Sequence, residues 1–202
     1  MMTYAIIAIT VLVSWLAFRN QKLADRLILW PPAISRNHQY DRLVTYGLIH
    51  ADFMHLFFNM FTLFFFGPAI EGLMSRVAGA WVYPLFYVSA LVVSILPTYL
   101  KNRDNPNYLS LGASGAVSAI LFAYIIVAPW SIIGVFFIPM PAIVFAVLYV
   151  AYSIWMDRRG GDRINHGAHL AGAAYGVLFM VIMRPDVWGH FLAELGNPRL
   201  GN

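Results

Sequence analysis

The sequence contains no cysteine and few charged residues. Without cysteine the chain has no disulfide, no thiol nucleophile and no cysteine-ligated metal. Asp, Glu, Lys and Arg make up only 11% of the residues, whereas an average soluble domain has about 25%. These four residue types are absent from 1–18, 53–70, 77–100, 105–156 and 164–183. The scarcity of charge indicates a protein that lies in a lipid bilayer.

Long apolar stretches are what the sequence has in abundance. Hydrophobic residues account for 60% of the 202 residues, and the mean hydropathy is +0.69. A membrane-spanning helix needs about 20 mostly apolar residues, so the run 105–156 is long enough for two, with a break at Pro129. We predict an all-α membrane protein in which residues 1–183 form one domain with six transmembrane helices and residues 184–202 form a polar C-terminal tail. The predicted spans are 2–18, 52–71, 80–100, 114–129, 131–155 and 165–183.

The first predicted loop, 19–51, is too long for a plain connection, which suggests that it has a function of its own. Its segment 25–30 is short and amphipathic, so we expect it to lie in the membrane interface. Pro31 and Pro32 then interrupt this segment, because proline disrupts a helix interior.

Four polar residues are predicted to lie at a similar depth in the membrane. The fourth span, from Ser114 to Pro129, would be roughly 22 Å long, short of the roughly 30 Å hydrocarbon core, so Ser114 is expected below the surface. His55 and Asn59 lie near the start of the second span, and His169 lies near the start of the sixth. With six spans, these helices enter from the same face, so the four side chains should converge there.

These residue types suit acyl transfer. A serine hydroxyl is a weak nucleophile until a base takes its proton, and histidine serves because its pKa is near neutrality. No carboxylate is available inside the spans, so the expected pair is a dyad of Ser114 and His169. Free backbone N–H groups at the start of the fourth span, with His55 and Asn59 one helical turn apart, could bind an oxyanion.

Each of these residues also has a plain structural explanation. Serine is common where membrane helices pack, and a histidine can be satisfied inside a helix bundle. Histidines also bind zinc, but the sequence has no HExxH motif and no carboxylate ligand within the spans, so we expect no metal and no other cofactor. The candidate zinc ligands would have been His50, His55, His166 and His169.

Three motifs occur in the order typical of one family: His50–Asn59, Gly112–Gly115 and Ala168–Gly176. Together they resemble the signatures of rhomboid intramembrane serine proteases, and the resemblance extends from about Arg42 to Met183. Gly67 and Glu71 also match a family pattern after the second span. The resemblance implies a rhomboid-like bundle of six transmembrane helices, a long first loop lying partly in the membrane, and a fifth span that borders the substrate gate.

The resemblance implies a role for each polar residue. Ser114 would be the nucleophile and His169 the base, and the Ser114 N–H would form the oxyanion hole with the side chains of His55 and Asn59. One position departs from the family: many members have an aromatic residue four positions after the nucleophile, packed on the catalytic histidine, and this chain has Ser118. The residues expected to support the site are His50, Gly112, Gly115 and Gly172.

The expected partners are the lipid bilayer and single-span membrane proteins, cut in or near a transmembrane segment with small or helix-destabilising residues. No cluster of Lys and Arg suggests nucleic acid. The expected location is a bacterial inner membrane. The alternative function is a non-catalytic rhomboid-like protein that binds membrane clients. A third hypothesis is a small transporter, but the inverted repeats typical of many transporters are not evident in the sequence.

The distribution of positive charge conflicts with the usual orientation of the family. Because Lys and Arg favour cytoplasmic loops, their excess in loops 1, 3 and 5 would place the candidate site in the cytoplasm. Common bacterial members instead open to the outside, and a first loop embedded in the interface can escape the charge rule, so we expect the family arrangement. The loops on the site's side carry Arg19, Lys22, Arg26, Arg36, Arg42, Lys101, Arg103, Arg158, Arg159 and Arg163, and the other side carries Arg76, Arg184 and Arg199.

Overall fold

The computed structural model describes residues 1–135, 138–161 and 164–198. Of the positions discussed above, Arg163 and the end of the predicted tail, 199–202, lie outside the described residues. The helices are α1 (Met2–Arg19), α2 (Gln21–Leu27), α3 (Pro31–Asn37), α4 (Arg42–Thr45), α5 (Phe53–Ala78), α6 (Val82–Lys101), α7 (Ser114–Val127), α8 (Ala142–Arg159), α9 (His166–Met183) and α10 (Asp186–Gly196). Between α7 and α8, the strands β1 (Ile132–Val135) and β2 (Ile138–Pro141) pair antiparallel.

Over the described ranges, four helices are long and apolar enough to cross a membrane: α1, α5, α6 and α9. Helix α7 is apolar but has only 14 residues. The mainly helical fold and its apolar helices confirm a helical membrane protein with several spans. The count of six spans stays a prediction.

Two predicted span boundaries do not coincide with the ends of the helices. The span predicted over 131–155 begins only at Ala142, because 132–141 is largely taken up by the paired strands, and Pro141 immediately precedes the helix. The span predicted to end at Glu71 continues as helix to Ala78 and stops at Gly79, whose φ of +92° favours glycine. A charged residue marks the end of an apolar run but does not end a helix.

The first loop contains three short α-helices and a 3₁₀ helix (Tyr46–Leu48), and hydrogen bonds join it to the loop that precedes α7. Arg42 is buried, and its guanidinium donates to the carbonyls of Asp25 (2.8 Å) and Ile28 (2.5 Å), where α2 ends. Cations are favourable at a helix C-terminus, so Arg42 stabilises this layer. Leu29 and Ser110 exchange backbone hydrogen bonds of 3.0 and 3.1 Å, which join the two loops.

Part of the predicted polar tail is helical. In α10 the side chain of Val187 is fully buried, and the ring Nε2 of His190 lies 2.9 Å from the Val127 carbonyl at the end of α7. Trp130 Nε1 donates to the Glu194 carbonyl over 2.7 Å. Apolar residues on one face of α10 therefore attach it to the far end of α7, away from Ser114.

Candidate active site

Ser114 and His169 are hydrogen-bonded. The distance from His169 Nε2 to Ser114 Oγ is 2.7 Å, and both residues are half-buried. Ser114 is the first residue of α7, so it lies among free N–H groups at the positive end of the helix dipole. A hydroxyl this close to an imidazole nitrogen can pass its proton to the ring when it attacks a carbonyl carbon.

Close contact between the backbones of α7 and α9 brings the two side chains together. A Cβ atom added to Gly172 would lie 2.1 Å from the Gly115 carbonyl oxygen, and one added to Gly176 would lie 2.1 Å from that of Ala119. Only glycine fits at these points on α9. The small residues thus allow the backbones of α7 and α9 to approach closely.

The start of α9 is held by Asn165. Its side-chain oxygen accepts hydrogen bonds from the Ala168 N–H (3.0 Å) and the Thr98 hydroxyl (3.1 Å), and its amide nitrogen donates to the Tyr108 hydroxyl (3.0 Å). One asparagine therefore caps the helix and ties it to α6 and to the loop before α7. His169 lies in the turn that this cap holds.

The loop before Ser114 turns at Gly112, whose φ is +110°. A Cβ at this position would also lie 2.6 Å from Cε1 of His55, so both the backbone angle and the imidazole above it require glycine. The Gly112 N–H donates to the Tyr46 carbonyl (2.9 Å) and the Ala113 N–H donates to His50 Nε2 (3.3 Å). These hydrogen bonds to the first loop therefore fix the backbone that leads to Ser114.

The hydrogen bonds of His50 assign its proton. Ser14 Oγ donates to the Leu48 carbonyl (2.9 Å), so it accepts from His50 Nδ1 (3.0 Å). Nε2 then carries the lone pair that accepts from Ala113, and the ring is neutral. Burial, with a smaller effect from the neighbouring His55, lowers the pKa of His50 to about 3. His50 thus accepts the hydrogen bond of a backbone N–H next to Ser114.

His55 and Asn59 are hydrogen-bonded to each other, and the His55 ring lies against Gly112 in the loop before Ser114. The Ala51 N–H donates to His55 Nδ1 (3.4 Å), which puts the proton of the neutral ring on Nε2, the atom above Gly112. Asn59 is buried, and its amide nitrogen donates to the His55 carbonyl (2.8 Å). An amide nitrogen has two N–H donors, so this bond uses one of them. The arrangement offers an imidazole N–H and backbone N–H groups beside the hydroxyl.

A tyrosine that sequence reasoning missed packs on the histidine. The ring of Tyr149, from α8, lies 6.1 Å from the ring of His169 at an interplanar angle of 19°. Its hydroxyl is 2.6 Å from Ser118 Oγ. Ser118, at the position where the family pattern has an aromatic residue, is thus bonded to an aromatic residue of another helix. A tyrosine in an apolar span needs a partner for its hydroxyl, and that was the available signal.

Comparison with known proteins gives consistent matches. The model of the Rhomboid domain family matches residues 37–186. "RHOMBOID-like protein 12, mitochondrial" of Arabidopsis thaliana is 30% identical over 176 residues, which cover 81% of this chain and 52% of that protein. "Putative rhomboid protease YdcA" of Bacillus subtilis is 29% identical over 184 residues, 86% of this chain and 85% of that protein. "Presenilin-associated rhomboid-like protein, mitochondrial" of Homo sapiens is 28% identical over 144 residues, 69% of this chain. The chain matches about half of the Arabidopsis protein and 37% of the human one.

Proposed function

The chain belongs to the rhomboid family, and on that premise we propose that it is an intramembrane serine endopeptidase. It cleaves single-span membrane proteins in or near their transmembrane segment with a dyad of Ser114 and His169. The observation that carries the proposal is the 2.7 Å hydrogen bond between His169 Nε2 and Ser114 Oγ at the start of a helix. A packing serine has no need of an imidazole partner at that distance.

The proposed reaction follows from the positions of these atoms. His169 takes the hydroxyl proton as Ser114 Oγ attacks the scissile carbonyl, and it returns that proton to the leaving amine. The tetrahedral oxyanion is stabilised by the Ser114 N–H, by His55 Nε2–H and by the second N–H of the Asn59 amide. Water then hydrolyses the acyl-enzyme by the same proton transfers in reverse.

The proposal includes a membrane arrangement. Helices α7 and α8 cross the bilayer together with α1, α5, α6 and α9, which gives one six-span domain over 1–183. The first loop lies partly in the interface on the site's side. We place the protein in a bacterial inner membrane, with lipid and membrane-protein substrates as its partners.

The test compares cleavage by the purified protein and by its Ser114→Ala and His169→Ala variants, using a single-span substrate in detergent. The dyad predicts a loss of cleavage of at least about 10³-fold for either variant. Circular dichroism checks that both variants fold. A client-binding protein without catalysis, the alternative considered from the sequence, would bind the substrate and leave it uncut. Equal cleavage by the wild type and Ser114→Ala would refute the proposal.

A further inference from the structure

We propose that Tyr149 is a positioning residue that holds His169 in line with Ser114, and that Ser118 holds Tyr149. The inference rests on the proposed function for its kinetic readout. Two contacts carry it: the stacked rings of Tyr149 and His169 at 6.1 Å, and the 2.6 Å hydrogen bond between the hydroxyls of Tyr149 and Ser118.

The geometry restricts the imidazole on one face. Stacked aromatic rings with centroids 4.5–7 Å apart attract each other beyond the area they bury. The Tyr149 ring therefore opposes rotation of the His169 ring out of the plane in which Nε2 meets Ser114. The tyrosine is itself fixed, because the rings of Phe122 and Phe145 each lie 5.5 Å from it.

The tyrosine comes from a helix that has few buried side chains. The described buried residues of α8 are Ala142, Ala146 and Ser153, and Tyr149 lies on the same face. The other three are small, and the hydroxyl of Tyr149 reaches Ser118 of α7. As a consequence, His169 is held only when α8 is packed against α7. Displacement of α8 would break the bond to Ser118 and remove the ring from the histidine.

The first experiment tests the contributions of the Tyr149 ring and of its hydroxyl separately. Cleavage is measured at varied substrate concentration for the wild type, Tyr149→Phe and Tyr149→Leu. Loss of the ring should lower kcat by about 10- to 100-fold with little change in KM, because a misplaced base slows the chemical step. Tyr149→Phe keeps the ring but loses the bond to Ser118, so kcat should fall by only about two- to fivefold. Tyr124→Leu is the matched control: it removes a partly buried tyrosine that packs on Phe66, and it should leave kcat near the wild-type value.

The second experiment tests the link to Ser118. Ser118→Ala and Tyr149→Phe remove the two ends of one hydrogen bond, so the double variant should be no slower than the slower single variant. Additive losses would overturn the role of Ser118. Moving the ring to α7 with the pair Ser118→Phe and Tyr149→Ala should recover part of the rate lost in Tyr149→Ala. This pair keeps the test valid if Tyr149→Leu fails to fold.

A third readout does not depend on proteolysis. The method is NMR of protein labelled with 15N-histidine, in which the His169 ring nitrogen signals are assigned by their loss in His169→Ala. The chemical shifts of these signals should change in Tyr149→Leu and stay the same in Tyr124→Leu. Unchanged signals and unchanged kcat in Tyr149→Leu would overturn the positioning role while leaving the proposed endopeptidase intact. If the wild type cleaves nothing, the proposed function fails, and the His169 signals alone decide the positioning role.

Discussion

At the scale of single residues, the two hydrogen bonds of His50 require a neutral ring. Its pKa is about 3 in the folded protein and 6.5 in the reference state, so between these values the unfolded chain binds more protons. The contribution of His50 to stability is therefore complete above about pH 6.5 and declines as the pH falls. At pH 5 the loss is about 2 kcal/mol.

The measurement is the thermal unfolding midpoint in detergent near pH 7.5 and near pH 5. The wild type should lose more stability between the two pH values than His50→Gln, which has no group that titrates there. An equal fall in both proteins would show that His50 is not the residue responsible.

Gly112 is a second residue whose role can be isolated. Alanine there is strained by the φ of +110° and would also push the His55 ring away from the site. Gly161 has a similar φ of +101°, and among the described residues beyond its chain neighbours no atom lies within 4 Å of an added Cβ, so Gly161→Ala is a control with the backbone strain alone. We expect Gly112→Ala to lower kcat by about 10²-fold or more and Gly161→Ala to leave it nearly unchanged. Similar activity of the two variants would contradict a role for the His55 position.

At the scale of helices, the contact between α7 and α9 is the one on which the site depends. Gly172→Ala and Gly176→Ala each place a Cβ 2.1 Å from a carbonyl oxygen of α7, so both should force the helices apart and cost about 1–3 kcal/mol of stability. Gly172 is one turn closer to Ser114, so its variant should lose more activity for the same loss of stability.

The control for this pair is Gly189→Ala in α10, where an added Cβ meets no atom of another described element within 4 Å. Thermal unfolding and cleavage are measured for all three variants. Wild-type values for Gly172→Ala would show that the helices tolerate separation, and the argument for their close approach would fail.

Some of the helices and strands could be predicted from the sequence and others could not. Apolar runs give the helices α1, α6, α7 and α9 to within a few residues, because lipid requires long uncharged segments. The strands β1 and β2 were missed, because an uncharged run looks the same whether it forms one long helix or two short strands followed by a helix. Helix α5 extends past the predicted span because a charged residue does not end a helix, and α8 starts later than predicted because the two strands follow the break at Pro129.

Part of the candidate site could also be predicted from the sequence. Motif spacing identified Ser114 and His169, which the structure brings within hydrogen-bond distance. Tyr149 was not identified, because its position opposite His169 depends on how α8 packs, and no local pattern encodes a contact between separate helices. The departure at Ser118 pointed to a missing ring without indicating which helix supplies it.

At the scale of the whole molecule, the open question is which side of the membrane the site faces. Several arginines of the first loop serve the folded structure: Arg42 is buried, Arg26 lies 2.7 Å from Asp41, and Arg19 lies over the Trp15 ring at 4.5 Å. Their number therefore reflects the needs of the first loop as well as any rule for cytoplasmic charge. This favours the family arrangement, with the site facing outward.

Six spans and an outward site place both chain ends in the cytoplasm. A fluorescent protein fused after Asn202 should then fluoresce in a bacterial host, and alkaline phosphatase at the same point should be inactive, because it folds only outside the cytoplasm. A fusion after Asn105, in the loop between α6 and α7, is the matched control and should give the opposite result. Active phosphatase at Asn202 with fluorescence at Asn105 would show the opposite orientation, with the site facing the cytoplasm. The same result at both points would instead refute the number of spans, since Asn105 and Asn202 must lie on opposite sides if α7, α8 and α9 all cross.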